Sequence, residues 1–352
     1  MALLFSSGVD ELEPGMALAR DVILEDGRVL FGKDTILTDK KIRLLQAWDI
    51  ADVLIVCSEA GSSQHGRADR LANFLDQYSL ITQALTEAFE KAQTIKKISL
   101  RQMESLAEKT MDVINDDSGI IGYLTQIRSA DDYTFKHCVN VGILAGVFCK
   151  CLGYTGLRLR EIIMTGFLHD IGKTQIPTEI LNKPGKLTVQ EMMIIQQHPA
   201  LGLKLLTAGG QLAKSVVLGV AQHHERADGT GYPCGLTSSQ TAISARIIAI
   251  CDVYDAMTSS RAYRAAQTPF QAIEELSLCR FNQLDPELCN QFIDRATGSL
   301  IGSTVRLSDG REAKIVALSG SSAVRPIVQV TQTECVNLAE RNDLTIVDVV
   351  AV

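Results

Sequence analysis

No apolar run in this chain approaches the roughly 20 residues a membrane-crossing helix needs; one of the longest, Val141 to Cys149, ends far short of it. Helical membrane insertion is thereby excluded, and the expected location is cytoplasmic. An excess of positive charge is also missing. With 34 Lys and Arg against 41 Asp and Glu the formal charge is −7, so no polybasic field attracts nucleic acid polymers or anionic lipids. Although nine cysteines are present, they are scattered, odd in number and never spaced as CxxC. That argues against a thiolate zinc site or a disulfide framework and predicts buried free thiols in a reducing compartment. Tryptophan occurs once, as Trp48, on the apolar face of a short predicted helix, and reads as core. The N-terminal Met1 to Phe5 lacks a basic flank and runs into Asp10, Glu11 and Glu13, unlike a signal peptide. Internal repeats, heptads and low-complexity tracts are missing too.

What is present is an ordinary globular composition, 46% apolar and 21% charged over 352 residues, with room for several domains. Residues 1–60 read as a small α+β module, a regulatory one. Its short strands run from about Val9 to Val56, punctuated by Glu13-Pro14-Gly15 and Glu25-Asp26-Gly27, around one helix near Asp39 to Trp48. Residues 61–130 read as a linker, Gly61 to Gly66, followed by connecting helices. Leu71, Phe74, Leu75, Tyr78, Leu85 and Phe89 make an amphipathic stripe there, either a homodimer interface or a packing face. Ser99 and Gln102 are spaced as a capping box. Residues 131–297 are helical, with helices predicted over 133–152, 157–169, 188–196, 211–224, 243–259, 268–279 and 286–296. Residues 298–352 form a short β-rich appendage, with strands near 304–307, 313–318, 327–330 and 344–350. The fold class is mainly α.

Histidine is scarce, six in all, and five fall in the helical region beside suggestive partners. His169-Asp170 closes an apolar run; His137 lies one helix earlier, His198 one later, and His223-His224 beyond; Asp252 interrupts the apolar segment Ile247 to Val253. Singly each is weak, since an isolated buried His or Asp is usually satisfied by an ordinary hydrogen bond. Burying so many polar groups together is costly unless one agent satisfies them all, and a pair of divalent cations does so. Imidazoles and carboxylates without thiolate suit iron or manganese, then nickel or zinc. An aspartate directly following a histidine can bridge two cations. Such a pair yields hydroxide at neutral pH, which favours phosphoester hydrolysis. After the paired histidines, Glu225 to Pro233 reads as a flap: Gly229 and Gly231 accept positive φ, and Pro233 stiffens the exit. Glu225 either braces the site or caps the turn.

His169-Asp170-Ile171-Gly172-Lys173, the stretch His223 to Leu236 (HHERADGTGYPCGL) and Cys251 to Arg264 (CDVYDAMTSSRAYR) resemble the HD-GYP family of HD-superfamily metal phosphohydrolases. The resemblance covers roughly Asp132 to Phe292. It implies an HD-type all-helical catalytic bundle that hydrolyses cyclic di-GMP to 5′-pGpG, with GMP from a slower second cut. The alternatives it leaves are a receptor that has lost turnover and a hydrolase for another cyclic dinucleotide such as 3′3′-cGAMP. By the same resemblance the metal ligands are His137, His169, Asp170, His198, His223, His224 and Asp252. Lys173 neutralises charge developing on the phosphate, and Tyr232, Arg261 and Arg264 hold the nucleotide. Asp228, Gly231 and Asp255 support the site, and a diguanylate cyclase or other signalling protein is a conceivable partner. Trinuclear family members carry a glutamate four residues before the first histidine ligand. Here that position is Tyr133, so two metals are expected, not three.

Overall fold

In the computed structural model, which describes residues 3–9, 12, 17–24, 29–32, 35, 37–48, 50, 52–57, 64–115, 120–127, 133–259, 266–279, 283–319, 322–331 and 334–351, the chain is mainly helical. It divides into two compact units, residues 1–70 with 328–336 and residues 71–327 with 337–352. Among the described residues no helix is long and apolar enough to cross a membrane.

The first unit contains β1 (Leu3–Gly8), β2 (Ala17–Leu18), β3 (Val22–Ile23), β4 (Val29–Phe31), α1 (Asp39–Ala47) and β5 (Asp52–Cys57). β5 is the central strand of an antiparallel sheet in the order β1-β5-β2, with Leu3 opposite Cys57. Strand β1 starts earlier than the alternation in the sequence indicated. Leu18, Leu37, Leu45 and Val53 form the core of this unit. Trp48 does not join it. It lies at the C-cap of α1 at φ −99°, ψ 15°, where the chain leaves the helical register, and its side chain is 48% exposed.

Helix α2 (Gln64–Ile95) begins inside the stretch expected to be a linker. It buries Phe74, Tyr78, Leu85 and Phe89, while Leu75 is exposed. Then come α3 (Leu100–Asn115), α4 (Ile120–Gln126), α5 (Tyr133–Cys151), α6 (Gly156–Leu168) and a 3₁₀ helix over Ile171–Gln175. Ser99 Oγ accepts from the Gln102 amide at the start of α3, but the Gln102 side chain reaches the Ala84 carbonyl instead of closing a capping box. α7 (Thr178–Leu181), α8 (Val189–Ile195), α9 (His198–Gly209), α10 (Lys214–Gln222), α11 (Ile243–Thr258), α12 (Pro269–Cys279) and α13 (Pro286–Gly298) follow. Most match the predicted helices. α9 does not, because Pro199, Gly202 and Gly209 obscure its pattern, although Pro in the first turn suits a helix start.

The helical unit is organised around α5, buried on every side from His137 to Cys149. An all-round apolar helix belongs in the middle of a bundle, and α5 packs along both α6 and α11. The fully buried Phe89, Phe148, Phe167 and Phe292 each contribute about 1.5–3 kcal/mol of burial. The 3₁₀ helix packs on α9 at Gly172, where a Cβ would overlap the His198 carbonyl and stand 2.5 Å from the Gly202 nitrogen. Only glycine permits that approach, and it brings His198 up to Asp170. Cys138, Cys149, Cys251 and Cys289 are buried free thiols as expected, whereas Cys151, Cys234 and Cys335 are exposed.

The strands beyond the bundle are β6 (Thr304–Leu307), β7 (Glu312–Ser319), β8 (Ser322–Gln329), β9 (Cys335–Asn337) and β10 (Ile346–Ala351). β6 pairs antiparallel with both β7 and β10.

Candidate metal centre

Helix ends leave carbonyls without intrahelical partners, and three histidines exploit this. His169 is the C-cap residue of α6, His223 that of α10, and His198 opens α9 just after α8 ends. In each, Nδ1 lies against the carbonyl three residues back: Gly166 at 2.7 Å, Ile195 at 2.8 Å and Val220 at 2.8 Å, respectively. A carbonyl only accepts, so Nδ1 carries the proton and Nε2 offers a lone pair. His137 is held differently, from the second turn of α5, with Nδ1 2.6 Å from Asp255 Oδ2.

All these imidazoles converge on Asp170. Its Oδ1 lies 3.3 Å from His198 Nε2 and 3.9 Å from His223 Nε2. Its Oδ2 lies 3.4 Å from His169 Nε2 and 3.8 Å from His137 Nε2. Two ligand-like groups result, Asp170 with His198, His223 and His224, and Asp170 with His137 and His169; the candidate atoms of each lie within 4.8 Å of one another. Asp252 belongs to neither group, but its Oδ1 is 3.1 Å from His137 Nε2.

The residues fit a pair of cations. His169 Nε2 and Asp170 Oδ1 are buried without a hydrogen-bond partner, an expensive condition unless something else satisfies them. His198 Nε2 and His223 Nε2 stand 3.2 Å apart, two lone pairs that repel each other until a cation lies between them.

Electrostatics follow the same division. Burial pushes the pKa of His198 down to about 4 and of His224 to about 3, and burial reinforced by the neighbouring imidazoles holds His223 well below the usual range. All three are thereby held as neutral imidazoles, the form whose Nε2 offers a lone pair. Burial also opposes charge on His137, yet the Asp252 and Asp255 carboxylates outweigh it and push its pKa up to about 9. Asp170 and Asp252 are held well below the carboxylate range in spite of burial, Asp170 chiefly by Lys173 and His169, and Asp252 chiefly by His137. Lys173, in the 3₁₀ helix, donates to Asp170 Oδ2 at 2.6 Å, and its side chain is one quarter exposed. Its pKa is raised, because that carboxylate outweighs burial.

The loop after the paired histidines folds over this centre. Glu225 is buried and straps it, accepting from the Cys234 amide at 2.7 Å and the Leu236 amide at 2.8 Å. The Tyr232 ring stacks on His224, with centroids 4.6 Å apart and planes at 27°. Gly229 takes the expected positive φ, 79°. Gly231 does not. It is glycine because a Cβ would overlap the Arg226 nitrogen and the His224 carbonyl. Asp228 is exposed and caps its own turn, accepting from the Thr230 amide at 3.0 Å.

Arg261 and Arg264 lie outside the described residues. Tyr133 is the first residue of α5, and its side chain lies outside the description too. Sequence reasoning missed Asn140, one turn beyond His137, which donates to Asp255 Oδ1 at 2.8 Å; a polar residue inside an apolar run was its only signal.

The profile of the HD domain family matches residues 108–288. Among curated proteins, the chain is 38% identical over 207 residues to the cyclic di-GMP phosphodiesterase PA4108 of Pseudomonas aeruginosa, covering 59% of this chain and 50% of that protein. It is 31% identical over 263 residues to a cyclic di-GMP phosphodiesterase of Thermotoga maritima, covering 71% and 70%. Thus it spans about half of the first relative's length. Among solved structures, Bd1817, an HDG"Y"P protein from Bdellovibrio bacteriovorus, shares the fold with a TM-score of 0.52 at 16% identity, covering 82% of this chain and 98% of that one. With its His-Asp pair, its paired histidines and its GYP loop arranged around Asp170, this chain belongs to the HD domain family, in its HD-GYP group.

Proposed function

We propose that this chain is a metal-dependent phosphodiesterase that hydrolyses cyclic di-GMP, the activity named for the Pseudomonas and Thermotoga relatives. The observation that carries the reading is Asp170, whose two oxygens face two separate imidazole sets. The residues that would hold the ions are His198, His223 and His224 on one side and His137, His169 and Asp252 on the other, with Asp170 between the two sets. Two ions are proposed, with Tyr133 four residues before His137 where a third would need a carboxylate. A nitrogen and oxygen donor set without thiolate favours iron or manganese. When bound, such a pair lowers the pKa of water and polarises a phosphoryl oxygen.

The chain's own residues supply the rest. Lys173 keeps its ammonium beside Asp170, where it offsets negative charge gathering on the phosphate. Tyr232, stacked on His224 and partly exposed, is proposed to contact a base. Burial, with the charges of Asp170 and Asp252, raises its pKa, so it stays a neutral hydrogen-bond donor. Arg261 and Arg264 are proposed to hold the nucleotide, Asp255 and Gly231 to support the site, Asp228 to shape the loop, and residues 131–297 to carry the chemistry.

The test is to incubate anaerobically purified, metal-analysed protein with cyclic di-GMP, and in parallel with 3′3′-cyclic GMP-AMP, and to chromatograph the products. The expected result is 5′-pGpG from cyclic di-GMP, GMP at a slower rate, and no product after chelation. Binding without any product at full metal occupancy would make the protein a receptor and overturn this reading.

A further inference from the structure

We infer that Tyr78 and Asn140 are positioning residues for the His137 half of the centre, so that the catalytic unit begins with α2. This rests on the metal reading above. Tyr78 lies thirty residues ahead of the family match, which starts at residue 108, and belongs to the amphipathic stripe of α2.

Three buried hydrogen bonds form one continuous run. Tyr78 Oη donates to Asn140 Oδ1 at 2.8 Å; Asn140 Nδ2 donates to Asp255 Oδ1 at 2.8 Å; Asp255 Oδ2 accepts from His137 Nδ1 at 2.6 Å. The run starts on α2, crosses α5, reaches α11 and returns to α5 one turn before Asn140. The Asp255 carboxylate only accepts, so it takes the Asn140 NH₂ group and leaves the Asn140 oxygen facing Tyr78, whose phenol keeps its proton at neutral pH and supplies the donor that pins the amide. Without the phenol, the buried Asn140 oxygen has lost its donor. The amide is then held at one end only, by Asp255, and the carboxylate it positions gains freedom to move. Asp255 is the group that aims the His137 ring, so a change at Tyr78 reaches a metal ligand it does not touch. No comparable dependence exists for His169, His198 or His223, whose Nδ1 groups rest on carbonyls of their own chain segments.

Tyr78→Phe removes one oxygen and leaves the ring that packs on Phe74 and is buried in the bundle. Anaerobic manganese titration by calorimetry, with electron paramagnetic resonance of the bound ion, measures each site separately. In Tyr78→Phe one of two sites is expected to weaken by about three- to tenfold, in keeping with one neutral hydrogen bond lost behind Asn140, and the second by less. Asn140→Leu is expected to weaken the same site further. Thermal unfolding of metal-free protein reports the structural contribution independently. A lower melting temperature with both affinities at wild-type values would make Tyr78 a packing residue and overturn the inference. Wild-type protein that binds no divalent ion would instead overturn the metal reading, and this inference with it.

Discussion

His198 and His223 are held by carbonyls three residues back, whereas His137 is held by a side chain 118 residues further along the chain. Two consequences follow from that difference. The first set depends only on where α8 and α10 end, so it is oriented as soon as those helices form. The second depends on α5 and α11 being packed together. The electrostatics diverge in the same way: burial keeps His198, His223 and His224 neutral, while Asp252 and Asp255 draw a proton onto His137. His198 and His223 are therefore aimed by local geometry, as is His169 on the other side of the centre, and His137 is aimed by tertiary contact.

Breaking the tertiary contact alone is the largest test of this contrast. Asp255→Asn keeps the shape but loses the charge-assisted bond to His137, so it is expected to cost about 10–100-fold in affinity at one metal site. The site containing His198 and His223 should weaken less, because it shares only Asp170 with the affected one. Calorimetric titration of the two sites checks this, and equal weakening of both would contradict the division.

Next in size is the pH dependence of the metal-free protein, where the two sets pull in opposite directions. His198, at about 4, and His224, at about 3, lie below their unfolded value, as does His223. Below about pH 6.5 the unfolded chain binds protons that the native state refuses, so stability falls on acidification. His137, at about 9, lies above its unfolded value. Its contribution is complete below about pH 6.5 and is lost as pH rises through 9. Melting temperature after chelation should accordingly peak near neutrality and fall more steeply on the acid side. His137→Gln should flatten the alkaline limb and leave the acid limb.

The smallest effect is expected from Ser259→Ala, which removes a single bond to Asp255 Oδ2 at 3.2 Å. Asp255 retains Asn140 and His137, both at shorter distances, so the affected metal site should weaken by less than about threefold. A larger loss would mean that Ser259, not Asn140, orients the carboxylate.

The locally held residues of the site were also the legible ones. His169-Asp170 and His223-His224 stand where apolar runs stop, and helix ends are where a sequence announces itself. α5 and α11 were equally visible as long apolar runs. Tyr78 was not, because a tyrosine in an amphipathic stripe looks like core until the partner of its hydroxyl is known. Gly231 was singled out for the wrong reason; its φ is unremarkable, and the constraint is the backbone packed against it. Trp48 failed for a related cause, since one residue past the end of a helix the periodicity no longer dictates which way a side chain faces.

The central claim is that Asp170 joins two metal sites, one per carboxylate oxygen. The most direct measurement is metal content and anaerobic titration of wild-type protein beside Asp170→Ala. The account predicts two divalent ions per chain in the wild type, and loss of at least one ion and of all turnover in the variant. Two ions and hydrolysis retained by Asp170→Ala would contradict it.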